Sequence, residues 1–417
     1  IVGAGPAGIA AAVTAAEAGA KVLLIDEGAA PGGQIWRAGV DDQARPPAAR
    51  AWLDRAARQS QALAHRSGEA VVDATILQAG ERIRLTLHRE GEAQSTRVDV
   101  RALILACGAR ERFLPFPGWT LPGVVGIGAL QALCKQGFDP AGKRVVLAGT
   151  GPLMLAVTAD LRERGAEVAM IAEQAPRRAI MSLAPALLSP KLGQALSLGR
   201  RLATVPRRWS SWPVQAHGSS RIEAVTLTDA DDHSTRIDCD ILAAGFGLVP
   251  ETRLARLLGC AVDPDGAVQV DGAQRSSIPS IFAVGEQCGI AGVDAALIEG
   301  RIAATTILGQ SPAPSLLRAR DRARHRATRQ NHAFALRPDL RAMTRDDTVV
   351  CRCEGAVLAD IAAWPDARAA RLHSRCGMGP CQGRVCEPAL EFLLSWQPGR
   401  CRPPLRPLPL SALSESP

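Results

Sequence analysis

Five cysteines lie close together near the C-terminal end of the chain: Cys351, Cys353, Cys376, Cys381 and Cys386. Four thiolates at such spacings can hold a [2Fe–2S] cluster or a zinc ion. Glycines in this stretch leave backbone N–H groups free to point at sulfur, and nearby arginines would offset the negative charge of a cluster. The other six cysteines are scattered singly, so the group indicates metal or redox chemistry and not a disulfide scaffold. We favour the cluster over zinc or unligated thiols.

A glycine-rich loop at the start of the chain separates a short apolar strand from an Ala-rich helix. It consists of Gly3, Ala4, Gly5, Pro6, Ala7 and Gly8. The first glycine permits a tight turn, the second lets the backbone approach a pyrophosphate, and the third lets the helix pack on the strand. Asp26 ends the next strand, where an acid accepts hydrogen bonds from an adenosine ribose, and Glu27 is the neighbouring alternative. The pattern predicts a dinucleotide site.

A second unit of the same kind carries Gly149 and Gly151. Met154 replaces its third small residue, Ala172 stands where the ribose acid would be, and Glu173 follows one residue late. Three interpretations remain open: an NAD(P) site, a retained or repurposed nucleotide such as ATP, and a purely structural Rossmann unit.

Several function classes are disfavoured. No Cys-x-x-Cys occurs in the part of the chain before residue 346, which argues against a disulfide-exchanging reductase. The seven histidines show no metal-ligand pairing and no triad order, so no catalytic residue is assigned. The net charge is +8, but only 3% of residues are aromatic, which argues against nucleic-acid binding.

The chain of 417 residues is 47% hydrophobic and 22% charged, which is typical of a globular protein with several domains. No run approaches the ~18 apolar residues of a transmembrane helix, and the cytoplasm is the default location. An Arg-rich stretch with Arg318, Arg322 and Arg326 at i+4 spacing predicts an exposed connecting helix.

Three segments resemble the FAD signatures of two-dinucleotide-binding flavoproteins. They are the first glycine loop, the strand end around Gly108, and the strand leading to Gly285 and Glu286. The segment with Gly33 and Gln34 resembles the loop that passes the flavin in the thioredoxin-reductase-like branch. The resemblance implies that these residues contact FAD.

With the C-terminal cysteines, which resemble a bacterioferritin-associated-ferredoxin-like domain, nearly the whole chain resembles one narrow group. This is the FAD/[2Fe–2S] α-subunit family of opine (octopine/nopaline) oxidases, D-hydroxyproline and proline dehydrogenases, and hydrogen cyanide synthase. The resemblance implies that the cluster ligands are Cys351, Cys353, Cys381 and Cys386, with Cys376 as the alternative.

The same resemblance implies partners. A β subunit, itself a flavoprotein of amino-acid-oxidase type, would oxidise a C–N bond in an amino acid or opine, and electrons would pass through FAD and the cluster to an acceptor. An FMN at the subunit interface and a small ferredoxin-like subunit belong to the same expectation. Two alternatives stay open: a self-contained NAD(P)H-dependent oxidoreductase, and a non-catalytic electron-transfer or iron-handling module.

The expected fold class is α/β, with two Rossmann-like dinucleotide-binding domains, one inserted in the other, and a small C-terminal helical [2Fe–2S] domain. The predicted boundaries are 1–115 and 245–310 for the FAD domain, 116–244 for the inserted NAD(P)-type domain, 311–345 for a basic helical linker, 346–397 for the cluster domain, and 398–417 for a Pro-rich tail of poor order.

Overall fold

The computed structural model describes residues 1–37, 39, 45–77, 82–183, 199–397, 399 and 401–413. The chain divides into two compact units. The first consists of Ile1–Arg110, Val249–Thr328 and Arg400–Pro417, and the second of Glu111–Leu248 and Arg329–Gly399. The segment with the grouped cysteines therefore belongs to the same unit as the second glycine loop.

The helices of the described residues are α1 (Pro6–Glu17), α2 (Pro47–Arg58), α3 (Ile127–Lys135), α4 (Pro152–Glu163), α5 (Arg177–Met181), α6 (Arg253–Leu257), α7 (Gly292–Ile307), α8 (Pro314–Ala333), α9 (Leu358–Ala362), α10 (Ala367–Ser374) and α11 (Cys386–Leu394). Shorter 3₁₀ helices are formed by Gly285–Cys288, Pro338–Met343 and Leu410–Ala412.

The strands are β1 (Val22–Asp26), β2 (Leu63–Ser67), β3 (Glu69–Leu77), β4 (Arg82–Arg89), β5 (Thr96–Val100), β6 (Leu103–Leu105), β7 (Ala109–Glu111), β8 (Val124–Gly126), β9 (Arg144–Thr150), β10 (Glu167–Glu173), β11 (Arg207–Trp209), β12 (Ser211–His217), β13 (Ala224–Asp229), β14 (Thr235–Asp238), β15 (Ile241–Phe246), β16 (Leu248–Pro250), β17 (Ile281–Ala283), β18 (Val349–Cys351) and β19 (Ala356–Val357).

A parallel sheet organises the first unit. Strand β1 pairs with β2, β6 pairs with β17, and Val2 bridges Ile25 on one side and Leu105 on the other. Apolar runs such as that of β1 form buried parallel strands because both faces of the sheet are covered. Helix α1 packs closely on α7, where a Cβ at Gly300 would overlap the carbonyl oxygen of Ala7. Strands β3, β4 and β5 form a separate antiparallel sheet.

The second unit contains a five-stranded parallel sheet in the order β11-β10-β9-β15-β8 and an antiparallel sheet β12-β13-β14. The order shows the crossover typical of a Rossmann-like unit, because β9 lies between β10 and the later β15. Helices α9, α10 and α11 with the hairpin β18-β19 enclose their own small core, which includes Val350, Ile361 and Leu390.

The Pro-rich tail is better packed than its composition predicts. Within residues 401–413, the Leu405 N–H donates to the carbonyl oxygen of Val72 at 2.7 Å, and Ser95 Oγ donates to that of Ala412 at 2.9 Å. Leu405 also contacts the core of the first unit. None of the described helices is both long and apolar enough to cross a membrane.

Candidate dinucleotide and cysteine sites

The first glycine loop has the shape that a pyrophosphate requires. A Cβ at Gly8 would overlap the carbonyl oxygen of Gly3, and a Cβ at Gly3 would overlap that of Ala106. A Cβ at Gly5, in contrast, would come no nearer than 3.9 Å to another atom. Gly3 and Gly8 are therefore needed for packing, whereas Gly5 leaves open space beside the N-terminus of α1, where backbone N–H groups bind phosphates.

Asp26 holds the two loops that surround this space. Its carboxylate accepts hydrogen bonds from the Ala4 N–H at 2.5 Å and the Gly28 N–H at 2.7 Å, and the residue stays partly exposed. That exposed edge leaves room for a ribose hydroxyl, which is the expected role of an acid at this position. Glu27, the alternative, is engaged elsewhere in an ion pair with Arg406.

The segment with Gly33 and Gln34 lies against the glycine loop. The Gly32 N–H donates to the Ala4 carbonyl oxygen at 2.8 Å, and a Cβ at Gly33 would lie 2.8 Å from the Cα of Gly5. Gln34 Oε1 accepts a hydrogen bond from Arg37 at 2.7 Å. The structure thus places this loop beside Gly5, and its contact with a flavin stays a prediction.

The two remaining flavin signatures have different environments. Gly108 has a φ of +73° and open space around its Cα. Gly285 has a φ of +76°, and a Cβ there would lie 3.0 Å from that of Ala7. Glu286 accepts hydrogen bonds from the N–H groups of Ala291 at 3.1 Å and Gly292 at 2.8 Å, and burial raises its pKa. Its side chain therefore caps α7, and its carbonyl oxygen accepts a hydrogen bond from the Gly289 N–H at 3.2 Å.

A buried ion pair, Glu299–Arg324, supports the Gly285 turn. Glu299 has no exposed surface; one carboxylate oxygen accepts from the Gly285 N–H at 2.8 Å and the other from Arg324 Nε at 2.6 Å. Arg324 also donates to the carbonyl oxygens of Cys288 at 2.6 Å and Gly289 at 2.9 Å. The sequence did not reveal this pair, because Arg324 lies in the Arg-rich stretch that was interpreted as an exposed helix. The one available signal was that Arg324 falls outside the i+4 series of exposed arginines and so lies on a different face of the helix.

The second glycine loop has a different acid arrangement. Glu173 ends β10, and its carboxylate accepts from Thr150 Oγ1 at 2.6 Å, the Gly151 N–H at 3.0 Å and the Ala175 N–H at 2.9 Å. Burial raises the pKa of Glu173 to about 7. A Cβ at Gly149 would overlap the carbonyl oxygen of Gly245, so this glycine serves the packing of β9 on β15.

Glu111 is a second carboxyl of the same unit that the sequence did not single out, and it is partly buried. Both of its oxygens lie within hydrogen-bonding distance of the Gly128 N–H, at 3.1 and 3.2 Å, at the N-terminus of α3. A Cβ at Gly126 or Gly245 would overlap the carboxylate. Burial raises the pKa of Glu111 to about 7, although backbone N–H groups of α3 oppose the shift.

Three of the five grouped cysteines meet in the structure. The sulfur atoms of Cys351, Cys376 and Cys386 all lie within 4.8 Å of one another, and all three residues are buried. Hydrogen bonds from Cys376 and then Cys386 lower the pKa of Cys351 to about 2, and the same contact with Cys351 raises the pKa of Cys376 to about 12. The three sulfur atoms are thus close enough to one another to bind a single metal ion together.

Cys353 and Cys381 lie beside each other, where Cys381 interacts with Cys353 through both its backbone and its side chain. Cys353 is exposed and Cys381 is partly exposed. A Cβ at Gly379 would overlap the Cβ of Cys353, and the Gly377 N–H donates to the Cys351 sulfur at 3.5 Å. The backbone between Cys376 and Cys386 therefore approaches sulfur closely, as an iron–sulfur centre requires.

The donor sets fit the groups that the sequence suggests. The open space beside Gly5, at the N-terminus of α1, suits the pyrophosphate of FAD, and a side chain at Gly5 would fill it. A set of buried sulfur atoms with backbone N–H groups aimed at them suits iron or zinc. Cys351 and Cys386 belong to both candidate ligand sets. The structure places Cys376 beside them, whereas the family resemblance adds Cys353 and Cys381 and keeps Cys376 as the alternative.

Comparisons with known proteins agree with this geometry. A family profile described as pyridine nucleotide-disulphide oxidoreductase matches residues 1–311. The chain is 35% identical to an opine oxidase subunit of Rhizobium meliloti (strain 1021), over 100% of this chain and 98% of the relative. It is 33% identical to hydrogen cyanide synthase subunit HcnB of Pseudomonas aeruginosa, over 99% of this chain and 97% of the relative.

Two solved structures share the fold. One is L-proline dehydrogenase from P. horikoshii, with a TM-score of 0.68 and 17% identity over 99% of this chain and 78% of that one. The other is thioredoxin reductase from T. acidophilum, with a TM-score of 0.59 and 20% identity over 74% of this chain and 96% of that one.

Proposed function

Because this chain belongs to the pyridine nucleotide-disulphide oxidoreductase family, in the group that includes hydrogen cyanide synthase subunit HcnB and an opine oxidase subunit, we propose that it is the flavin- and iron–sulfur-bearing α subunit of a hetero-oligomeric amino-acid or opine dehydrogenase. A β subunit of amino-acid-oxidase type oxidises the C–N bond. This chain passes the electrons to an acceptor. The candidate donors are D-hydroxyproline, proline, opines and glycine.

The observation that carries the proposal is that one chain contains both a candidate dinucleotide site and a candidate metal site. The same chain aligns over its full length with an opine oxidase subunit. A dinucleotide cradle is formed around Gly5, and a buried thiol group around Cys351. FAD, when bound, accepts two electrons, and an iron–sulfur centre passes one at a time, so a chain holding both links hydride chemistry to one-electron carriers.

In this proposal, the residues of this chain bind FAD and the cluster and hold them in position. Gly5 leaves room for the pyrophosphate, Asp26 faces the ribose, and Gly285 is held by Glu299. Cys351 and Cys386 would hold the cluster, with the other two ligands drawn from Cys353, Cys376 and Cys381. An FMN at the subunit interface and a small ferredoxin-like subunit belong to the same proposal.

The test is anaerobic reduction of the complex purified with its co-eluting partner. D-hydroxyproline, L-proline, opines and glycine are added in turn, and flavin bleaching and a paramagnetic iron signal are recorded. We expect one donor class to bleach the flavin and then produce the iron signal, while NADH and NADPH produce neither. Rapid bleaching by NADH or NADPH would favour a self-contained reductase. A purified complex with iron but no flavin would favour an electron-transfer or iron-handling module.

A further inference from the structure

In the first unit the residue before Gly3 pairs with the residue before Asp26, and in the second unit the residue before Gly149 pairs with Ala172. Glu173, and not Ala172, therefore holds the ribose position of the second Rossmann unit, and it is fully engaged by its own chain. Glu173 is 4% exposed and accepts hydrogen bonds from Thr150, Gly151 and Ala175. In a unit that takes a dinucleotide, this acid faces the ribose hydroxyls. Asp26, its counterpart in the first unit, is partly exposed to solvent, whereas Glu173 is buried.

Gln174, the residue after Glu173, links this site to the segment that covers it. Gln174 has no exposed surface, and its Nε2 donates to Thr150 Oγ1 at 3.0 Å and to the Ala335 carbonyl oxygen at 3.2 Å. Its Oε1 accepts from the Arg337 N–H at 3.2 Å. A single side-chain amide therefore joins the glycine loop to the segment Phe334–Arg337. A buried amide with donors and acceptor all engaged is a costly contact to break.

The segment is also anchored on its other side. Leu336 packs against the main core of the second unit. The Arg337 guanidinium lies 5.3 Å from the ring centre of Trp212 and pairs with Asp339 at 2.9 Å. These contacts and the Gln174 bridge together hold the backbone of Phe334–Arg337 beside the ends of β9 and β10.

We propose that Phe334–Arg337 occupies the place of the nucleotide ribose in the second Rossmann unit and closes this unit to NAD(H), NADP(H) and ADP-ribose. A ribose could reach Glu173 only after the segment had left and the Gln174 hydrogen bonds had broken. The second unit thereby excludes nucleotides that need this ribose position, and electrons do not enter this chain from a nicotinamide through it. This inference does not depend on the iron–sulfur centre.

The experiment uses flavin-loaded protein, so that the first site is filled. Calorimetric titration with NADH, NADPH and ADP-ribose is combined with hydrogen exchange of residues 334–337. We expect no saturable heat, and slow exchange of the Arg337 amide that none of the three probes changes. Saturable binding of any probe overturns the proposal, whether the segment stays protected or becomes exposed.

Two variants of the bridged residues, Gln174→Ala and Arg337→Ala, and one control variant make the test possible even if one of them does not fold. Gln174→Ala removes the bridge and is expected to accelerate exchange across residues 334–337, whereas Gln215→Ala, at a partly buried position of β12, leaves it unchanged. Arg337→Ala, whose side chain is 26% exposed, serves if Gln174→Ala does not fold, and the same acceleration is expected. Unchanged exchange in the folded variant would overturn the proposal, because the Gln174 bridge would then not hold the segment over the ribose position.

Discussion

The three glycines of the first loop have different physical roles. Gly3 and Gly8 allow the strand, loop and helix to pack, because an added Cβ would overlap backbone oxygens. Gly5 has a φ of −75°, which any residue adopts, and an added Cβ there would face open space. Of these three glycines, Gly5 can therefore be changed without disturbing the fold, and the space beside it is where we propose that the pyrophosphate binds.

Gly5→Ala is expected to separate binding from folding. The added methyl group would take up pyrophosphate space, so flavin affinity should fall by at least about tenfold, or about 1.4 kcal/mol. The free energy of unfolding of the flavin-free protein should change by less than about 0.5 kcal/mol. Flavin titration and urea unfolding measure the two quantities.

Gly8→Ala is the matched variant, and it should lower both flavin affinity and stability. Equal flavin affinity in Gly5→Ala and the wild type would show that the pyrophosphate does not lie beside Gly5.

Glu111 gives the second unit a pH dependence. Its folded pKa of about 7 exceeds the unfolded value near 4.5, so the folded state holds the proton more tightly. The stabilisation is complete below about pH 4.5 and is lost as the pH rises through about 7. Glu111→Gln, which has no such proton, should reduce the loss of unfolding free energy between pH 5 and pH 8 by about 2.5 kcal/mol.

Urea unfolding at the two pH values measures this difference. Glu223→Gln, an exposed change in the same unit, should leave the pH dependence as in the wild type. An identical pH profile for Glu111→Gln and the wild type would mean that Glu111 is ionised throughout this range.

At the scale of elements, α8 shows why a basic helix need not be only a solvated connector. Its exposed face carries Arg318, Arg322 and Arg326, as the i+4 spacing predicts. The opposite face carries Arg320 and Arg324, which bind the Gly272 carbonyl oxygen and the Glu299 carboxylate. The helix thereby fixes the turn that contains Gly285.

Arg324→Ala should destabilise the protein by about 3 kcal/mol, because it leaves the Glu299 carboxylate buried without its counter-charge. Flavin affinity should fall as well, since Glu299 also holds the Gly285 N–H. Arg322→Ala, on the exposed face of the same helix, should change stability by less than about 0.5 kcal/mol. Thermal unfolding with flavin titration compares the variants, and equal stabilities would show that the Arg324–Glu299 ion pair does not stabilise the fold.

Local patterns were sufficient for some elements and insufficient for others. The strand–loop–helix unit around Gly3–Gly8 follows from glycine spacing and apolar runs, and the family that these motifs suggested is confirmed by the comparisons. Gln174 and Glu111 could not be found this way, because their partners lie far away in sequence, at Ala335 and Gly128 for example. Periodicity reports which face of an element is apolar and does not report which distant segment covers it.

The cysteines illustrate the same limit. Their types and spacing indicate a metal centre, but the choice among five thiols depends on how the loop from Arg375 to Val385 folds back. Residues in the left-handed region, such as Arg375, Gln382 and Gly383, direct that loop. Spacing alone did not place the Cys376 sulfur beside those of Cys351 and Cys386.

At the scale of the whole molecule, the proposed function requires two redox groups on one chain with separable tasks. The flavin cradle and the thiol group belong to different compact units, so a defect in one need not unfold the other. The aligned length supports the same view, because an opine oxidase subunit matches both units together. Loss of the iron centre should thus interrupt electron transfer after the flavin has been reduced.

Cys351→Ala is expected to abolish iron binding while flavin content stays at the wild-type level. In the purified complex, substrate should still bleach the flavin, but turnover with a one-electron acceptor should be lost, because no one-electron carrier follows the flavin. Cys134→Ala, a buried thiol of α3 in the same unit, is the control and should keep both iron and turnover. Iron analysis, electron paramagnetic resonance and stopped-flow absorbance provide the three readouts. Full turnover in iron-free Cys351→Ala would show that electrons leave the complex by another route, whereas zinc in place of iron in the wild type would assign the thiols a structural role.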